Sequence, residues 1–288
     1  MGFKVILTPL YGVPSDESAL AAAVAVARKF AAHVDVMHVR ADPRTMIPYI
    51  GEGMSGALIE EMITSAEQQA DERSRRVRAA FDDWRAKTGL PLAEAAGEGP
   101  SCNWVETVGR PDASVARRGR VADLVVVSRP EAEAAVTTVA ETLEAALLES
   151  GTPLLVAAAR PADKIGSHVA IAWNGGLESA RAVAAALPFL AGAEAITIIT
   201  VGSPAPPEAD APALEAYLAR HGVKVQTRNV EVEGGKSVGQ TLLATATKAG
   251  ADMMVMGAYT HSRLRELVFG GVTREVLAAA DMPVIMAH

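Results

Sequence analysis

The sequence predicts an α/β protein made of two repeats, each a doubly wound five-stranded parallel sheet with helices on both faces. Short apolar runs alternate with amphipathic helical stretches, and right-handed crossovers then lay the strands parallel around a switch point beside strand one. The second half repeats the first in order. Val169 to Ala172 answers Val5 to Thr8, Ile196 to Val201 answers Val34 to Val39, Ala251-Asp252 answers Ala122-Asp123, and Met282-Pro283 answers Thr152-Pro153. At 288 residues, 50% of them apolar, the chain is long enough for about two domains with separate cores. We expect them at 1–160 and 165–288, with the linker near Arg160 to Gly166.

In the first repeat, Lys4 to Pro9 reads as strand one, and Ser15 to Ala32 as an Ala-rich helix opened by Ser15-Asp16. Val34 to Val39 is strand two. A long helix follows from Leu58 to about Lys87, because Leu58, Met62, Ile63, Ala66, Ala70, Val77, Phe81 and Trp84 step by three and four around one face, and Gly89 ends it. Ser101 to Val108 is strand three, Asp112 to Arg120 a short helix, Leu124 to Val127 strand four, Glu131 to Leu148 a helix, and Leu154 to Ala158 strand five. Where the first repeat has its long helix, the second has a Pro-rich loop, Ser203 to Pro212, and the short helix Ala213 to His221. Two short apolar last strands, Leu154 to Ala158 and Val284 to Ala287, would leave open sheet edges, so we expect them to meet as an intramolecular pseudo-dimer.

Chemistry concentrates after strand four of the second repeat. Met253 to Met256 is a buried strand ending on Gly257, followed by Ala258-Tyr259-Thr260-His261-Ser262-Arg263, and then Gly270-Gly271-Val272-Thr273 opens a helix with Val276, Leu277 and Ala280 on one face. Glycines before a helix let backbone approach an anion, and the helix N-terminus offers free N–H groups. These residues resemble the universal stress protein family, in which three spaced glycines, the third followed by Ser or Thr, hold the phosphates of ATP. Gly257 and Gly270 stand at the first and third positions; Thr260 replaces the second glycine, and Gly271 the hydroxyl residue, with Thr273 two places later as substitute.

The resemblance implies a strand order of 3-2-1-4-5 in each repeat and ATP, with Mg, at the switch between strands one and four. It implies a site of Ala172, Trp173 and Asn174 after strand one, Val201 after strand two, Gly257, Tyr259, Thr260, His261 and Arg263 after strand four, and Gly270, Gly271, Val272 and Thr273 at the last helix. Asn174 stands where the family carries an Asp, which removes the charge that would help hold a metal. The first repeat has Ser128-Arg129-Pro130-Glu131 at the matching loop, a missing donor and an opposing charge, so we expect one ligand site per chain, in the second repeat.

Other patterns read more plainly. Gly234-Gly235-Lys236-Ser237 lacks the first glycine of a phosphate-binding loop and reads as a turn with Ser237 as N-cap of the helix Val238 to Lys248. Asn174 to Ser179 resembles the Gly-rich loop of ATP pyrophosphatases with two positions changed. The six histidines lack metal-ligand spacing, and the single Cys102 excludes a disulfide framework. A net charge of −7, with no basic block except Arg73 to Arg78 and Arg117 to Arg120, each interleaved with acids or apolar residues, argues against nucleic acid. The apolar run in MGFKVILTPLYG is too short for a signal peptide, and no stretch is long enough to span a bilayer, so the expectation is a cytoplasmic protein. Three functions follow: a stress-response protein binding a nucleotide or small anion without a catalytic step, and free to assemble further as a homo-oligomer; an ATP-cleaving or adenylylating enzyme using the Asn174–Ser179 loop; or an interaction module with no small ligand.

Overall fold

The apolar runs do become strands, and those inside the sheet are buried on both faces, whereas the two outermost strands are not. In the computed structural model, Val5–Leu10 (β1), His33–Arg40 (β2), Ser101–Val108 (β3), Leu124–Val127 (β4) and Leu154–Val156 (β5) form the first parallel set. His168–Ala172 (β6), Ala195–Val201 (β7), Gln226–Val230 (β8), Met253–Gly257 (β9) and Val284–Ala287 (β10) form the second. The structure describes residues 2–42, 55–93, 97–130, 136–162, 164–202, 205–232, 234–258 and 271–288. All ten strands join one sheet in the order β3-β2-β1-β4-β5-β10-β9-β6-β7-β8, which is 3-2-1-4-5 read outward-in for each repeat.

The two edges meet as the sequence leads one to expect. β10 runs antiparallel to β5, with Val284 opposite Val156, Ile285 opposite Leu155 and Met286 opposite Leu154. Equivalent positions pair symmetrically about Leu155 and Ile285, so the seam is an isologous contact made within one chain. All other strand pairs are parallel. It follows that β4 and β9 run in opposite directions, and the carboxyl ends of the two parallel sets lie at opposite edges of the sheet.

Helices cover both faces. Asp16–Phe30 (α1) and Gly56–Thr88 (α2) from the first repeat share one hydrophobic cluster with Leu177–Leu190 (α5) and Ala211–Arg220 (α6) from the second. Pro111–Gly119 (α3), Val136–Glu149 (α4), Val238–Lys248 (α7) and Gly271–Ala279 (α8) share the other. Both clusters run across the seam. Phe189 of the second repeat meets Phe30 edge to face at 5.0 Å and Phe3 at a tilt at 5.4 Å between centroids, and Lys29 Nζ donates to Gly166 O at 3.0 Å.

Local signals acted as expected at several points. Gly89 ends α2 with φ +69, and Ser237 opens α7 with a capping box completed by Gln240. Residues 131–135, the expected start of α4, lie outside the described residues. Ser15 differs: it makes no side-chain cap, and the helix starts at Asp16, whose carboxylate turns back to the preceding loop. On α2 the expected apolar stripe is buried at Val77, Phe81 and Trp84, while Leu58 and Met62 are exposed.

The repeated Ala-Asp has a defined task. Asp252 accepts the N–H groups of Gly166, Ser167 and His168 at 2.9–3.1 Å, tying the start of β6 to β9. Asp123, more exposed, accepts those of Lys4 and Val5 at 2.7 and 2.9 Å in the first repeat. Asp252→Ala therefore leaves three donors to seek water at a part-buried place, and we expect a loss of about 2 kcal/mol in urea unfolding, against a smaller loss for Asp123→Ala.

Candidate functional site

Open parallel sheets bind ligands outside the carboxyl ends of their strands where the order reverses, which in the second repeat is between β6 and β9. Ala172 lies there beside Met256 on β9 and Ile199 on β7. Ala172, Val201 and Val272 pack against the same hydrophobic cluster and so share one side of the cleft. Trp173 belongs to the opposite cluster. Its Nε1–H donates to Ala209 O at 2.9 Å, and the ring is 8% exposed, so it holds the turn Pro207–Ala209 in place.

The loop after β6 is closed on itself. Asn174 is exposed, and its Oδ1 accepts the N–H of Gly176 at 2.9 Å, while Ser179 Oγ donates to Gly176 O at 2.8 Å. Gly175 has φ +71, and a Cβ there would stand 2.8 Å from Ala209 O, so this turn admits no side chain.

Gly257 serves packing first. Its backbone is extended, not left-handed, and a Cβ would collide with Ser179 N and Glu178 C at the start of α5. The glycine thus lets the helix N-terminus reach the strand end. Gly271 is the converse: it is exposed at the start of α8, and no described residue lies within 4 Å of where its Cβ would be. Thr273 is 5% exposed and takes no part in an open surface. Tyr259, Thr260, His261, Arg263 and Gly270 lie outside the described residues. Nowhere among the described residues do three His, Cys, Asp or Glu side chains converge as a metal site would need.

The first repeat presents a different cleft, which the sequence reading missed. At the carboxyl ends of β1 and β2 a cavity of about 300 Å³ is lined by Pro9, Leu10, Tyr11, Gly12, Val13, His38, Val39, Ala41, Pro111, Val115 and Thr138, with Arg73 and Arg76 from α2. Gly12 has φ +76, and α2 lies against it: an added Cβ would meet Arg73 Cγ at 3.1 Å and Val77 Cγ2 at 3.2 Å. Arg73 and Arg76, three apart on the helix, share one face, which was the signal available in the sequence. His38 Nδ1 donates to Leu10 O at 3.0 Å, and Nε2 is 3.1 Å from Ser74 Oγ, so both ring nitrogens are committed.

The turn after β1 makes an anion-binding nest of backbone N–H groups, and the protein fills it itself. Asp16 accepts from Gly12 at 2.7 Å, Tyr11 at 3.0 Å and Val13 at 3.3 Å, with Ser128 Oγ at 3.4 Å from its other oxygen. Burial pushes the Asp16 carboxyl up to about 6, against the lowering pull of those N–H bonds. Burial also raises Tyr11, against the lowering pull of the nearby Thr142 hydroxyl.

A raised acid is stabilising when protonated. Asp16 therefore adds stability that is complete below about pH 4 and is lost as pH rises through about 6. We expect urea unfolding of wild type, referred to Asp16→Asn, to weaken by about 3 kcal/mol between those limits. A flat difference across that window would contradict the burial of a titrating carboxyl.

No helix among the described residues is long and apolar enough to cross a membrane. Solved structures share the architecture over the whole chain. A universal stress protein from Archaeoglobus fulgidus DSM 4304 is 14% identical, with a TM-score of 0.66, covering 98% of this chain and 97% of its own. A protein of unknown function from Pseudomonas aeruginosa PAO1 is 15% identical, with a TM-score of 0.56, covering 98% and 92%. At these identities the likeness is one of fold. No curated protein matches this chain. Residues 116–288, more than half the sequence, match the family model described as the universal stress protein family, and the chain belongs to that family.

Proposed function

We propose that this chain is a cytoplasmic stress-response protein whose second repeat, 165–288, binds a nucleotide of the ATP class or another small anion without catalysing a reaction. The observation that carries the reading is the open start of α8. Among the described residues nothing lies over the exposed Gly271 that begins α8, in the repeat whose β9 ends on Gly257, and a helix N-terminus favours negative charge through its N–H groups and dipole.

The loop geometry favours binding over chemistry. In the Asn174–Ser179 loop the Asn174 oxygen and the Ser179 hydroxyl are both used to hold the turn, and Ser179 is 3% exposed. Neither is placed to act as a nucleophile or metal ligand. Asn174 supplies no charge for magnesium, so the nucleotide is bound by backbone donors, and weakly.

Titration calorimetry with ATP, with and without magnesium, tests this. We expect one site per chain, a Kd above about 1 μM, little effect of magnesium, and no binding by Gly270→Val, in which a β-branched side chain obstructs the glycine loop. Two equivalent sites, or binding kept by Gly270→Val, would put the site elsewhere. Release of AMP and pyrophosphate would favour the enzyme.

A further inference from the structure

We propose that the first repeat carries its own small-molecule site, the cavity between β1, β2 and α2, and that it takes a small organic acid: one carboxylate on an apolar body. The walls decide the body. Leu10, Val13, Val39 and Val115 give an apolar lining, and the volume of about 300 Å³ accommodates roughly ten water-sized groups, at the small end of ligand pockets.

The charge comes from α2. Arg73 and Arg76 line the cavity from one helix face, and neither makes a hydrogen bond or ion pair to a described residue, whereas neighbouring Arg40 is paired with Asp71 at 2.8 Å and Arg78 with Asp82 at 3.1 Å. Two guanidiniums without a partner among the described residues, over an apolar cavity, match a carboxylate, which accepts their N–H groups in pairs. Tyr11 also lines the cavity, with its hydroxyl buried beside Thr142.

The same geometry argues against phosphate. The backbone donors that would cradle it, the N–H groups of Tyr11, Gly12 and Val13, already serve Asp16. A phosphate there would displace a buried carboxylate or face it. His38 has no free donor to offer, and a charge at the mouth must be met by the arginines alone.

Straight-chain and aromatic acids share this chemistry, and two probes separate them. Calorimetry of the full chain with octanoate and with 4-phenylbutanoate should show one site for at least one of them. 1-Octanol, which has the body without the charge, and inorganic phosphate, which has charge without the body, should each bind about tenfold more weakly or worse, the factor that loss of a charge-assisted hydrogen bond carries. Arg73→Gln with Arg76→Gln should weaken the acid to a similar degree. Both side chains are exposed, so folding is spared. Ala41→Phe, at the exposed rim, should block the cavity. Binding unchanged in either variant, no binding of either acid, or phosphate bound as well as the acids would overturn the proposal. ATP binding by the second repeat is expected to survive both variants, and acid binding to survive Gly270→Val, so failure at one site is told apart from failure at the other.

Discussion

The rest of this structure depends on three antiparallel residue pairs, between Leu154–Val156 and Val284–Met286. A five-stranded parallel unit has β5 at its edge, with unpaired backbone groups that would recruit another chain. Pairing β5 with β10 removes both edges at once, and the residues concerned are no more than 2% exposed. Arg129 strengthens the join by donating to Ala280 O at 2.6 Å across the repeats. The remaining edges, β3 and β8, are carried at the outer ends of one sheet.

Antiparallel pairing of two parallel sets also separates the functional ends. The cleft beside β1 and the cleft beside β6 open at opposite edges, so neither can lend a side chain to the other. Each repeat was free to change alone. In the first, α2 was laid over the strand ends and Asp16 was turned into the backbone nest, leaving a roofed apolar cavity with arginines. In the second, the Pro207–Ala209 turn before the short α6 is held by Trp173 instead, and no described residue covers Gly271 at the start of α8. One fold thus carries an enclosed cleft and an exposed one.

Much of this was legible in the sequence, because burial on both faces writes continuous apolar runs and the repeat confirms them. LVVV at β4 and MMVMG at β9 admit little else. β8 was not individually legible: QTRNV is almost wholly exposed at the sheet's outer edge, so it carries neither an apolar run nor alternation. The upper part of α2 misled in the other direction, since helical periodicity at Leu58 and Met62 says which face they share but not whether anything covers it. The cavity escaped notice because its parts are far apart in the chain and Asp16 resembles an ordinary first-turn acid. Its carboxylate faces Tyr11–Val13 only in the folded chain. Gly257 carries a related lesson: the spacing pointed to it, yet the contact that demands a glycine there is with the backbone of Glu178 and Ser179.

The seam is most directly tested by hydrogen exchange at the amides of residues 154–156 and 284–286. If the two repeats share one continuous sheet, these amides should exchange as slowly as those of β4 and β9, and only through unfolding of the whole chain, although both strands are short and would fray at a free edge. Fast exchange at 284–286 while β4 and β9 stay protected would show two repeats joined by a linker alone, and the single-sheet account would be wrong.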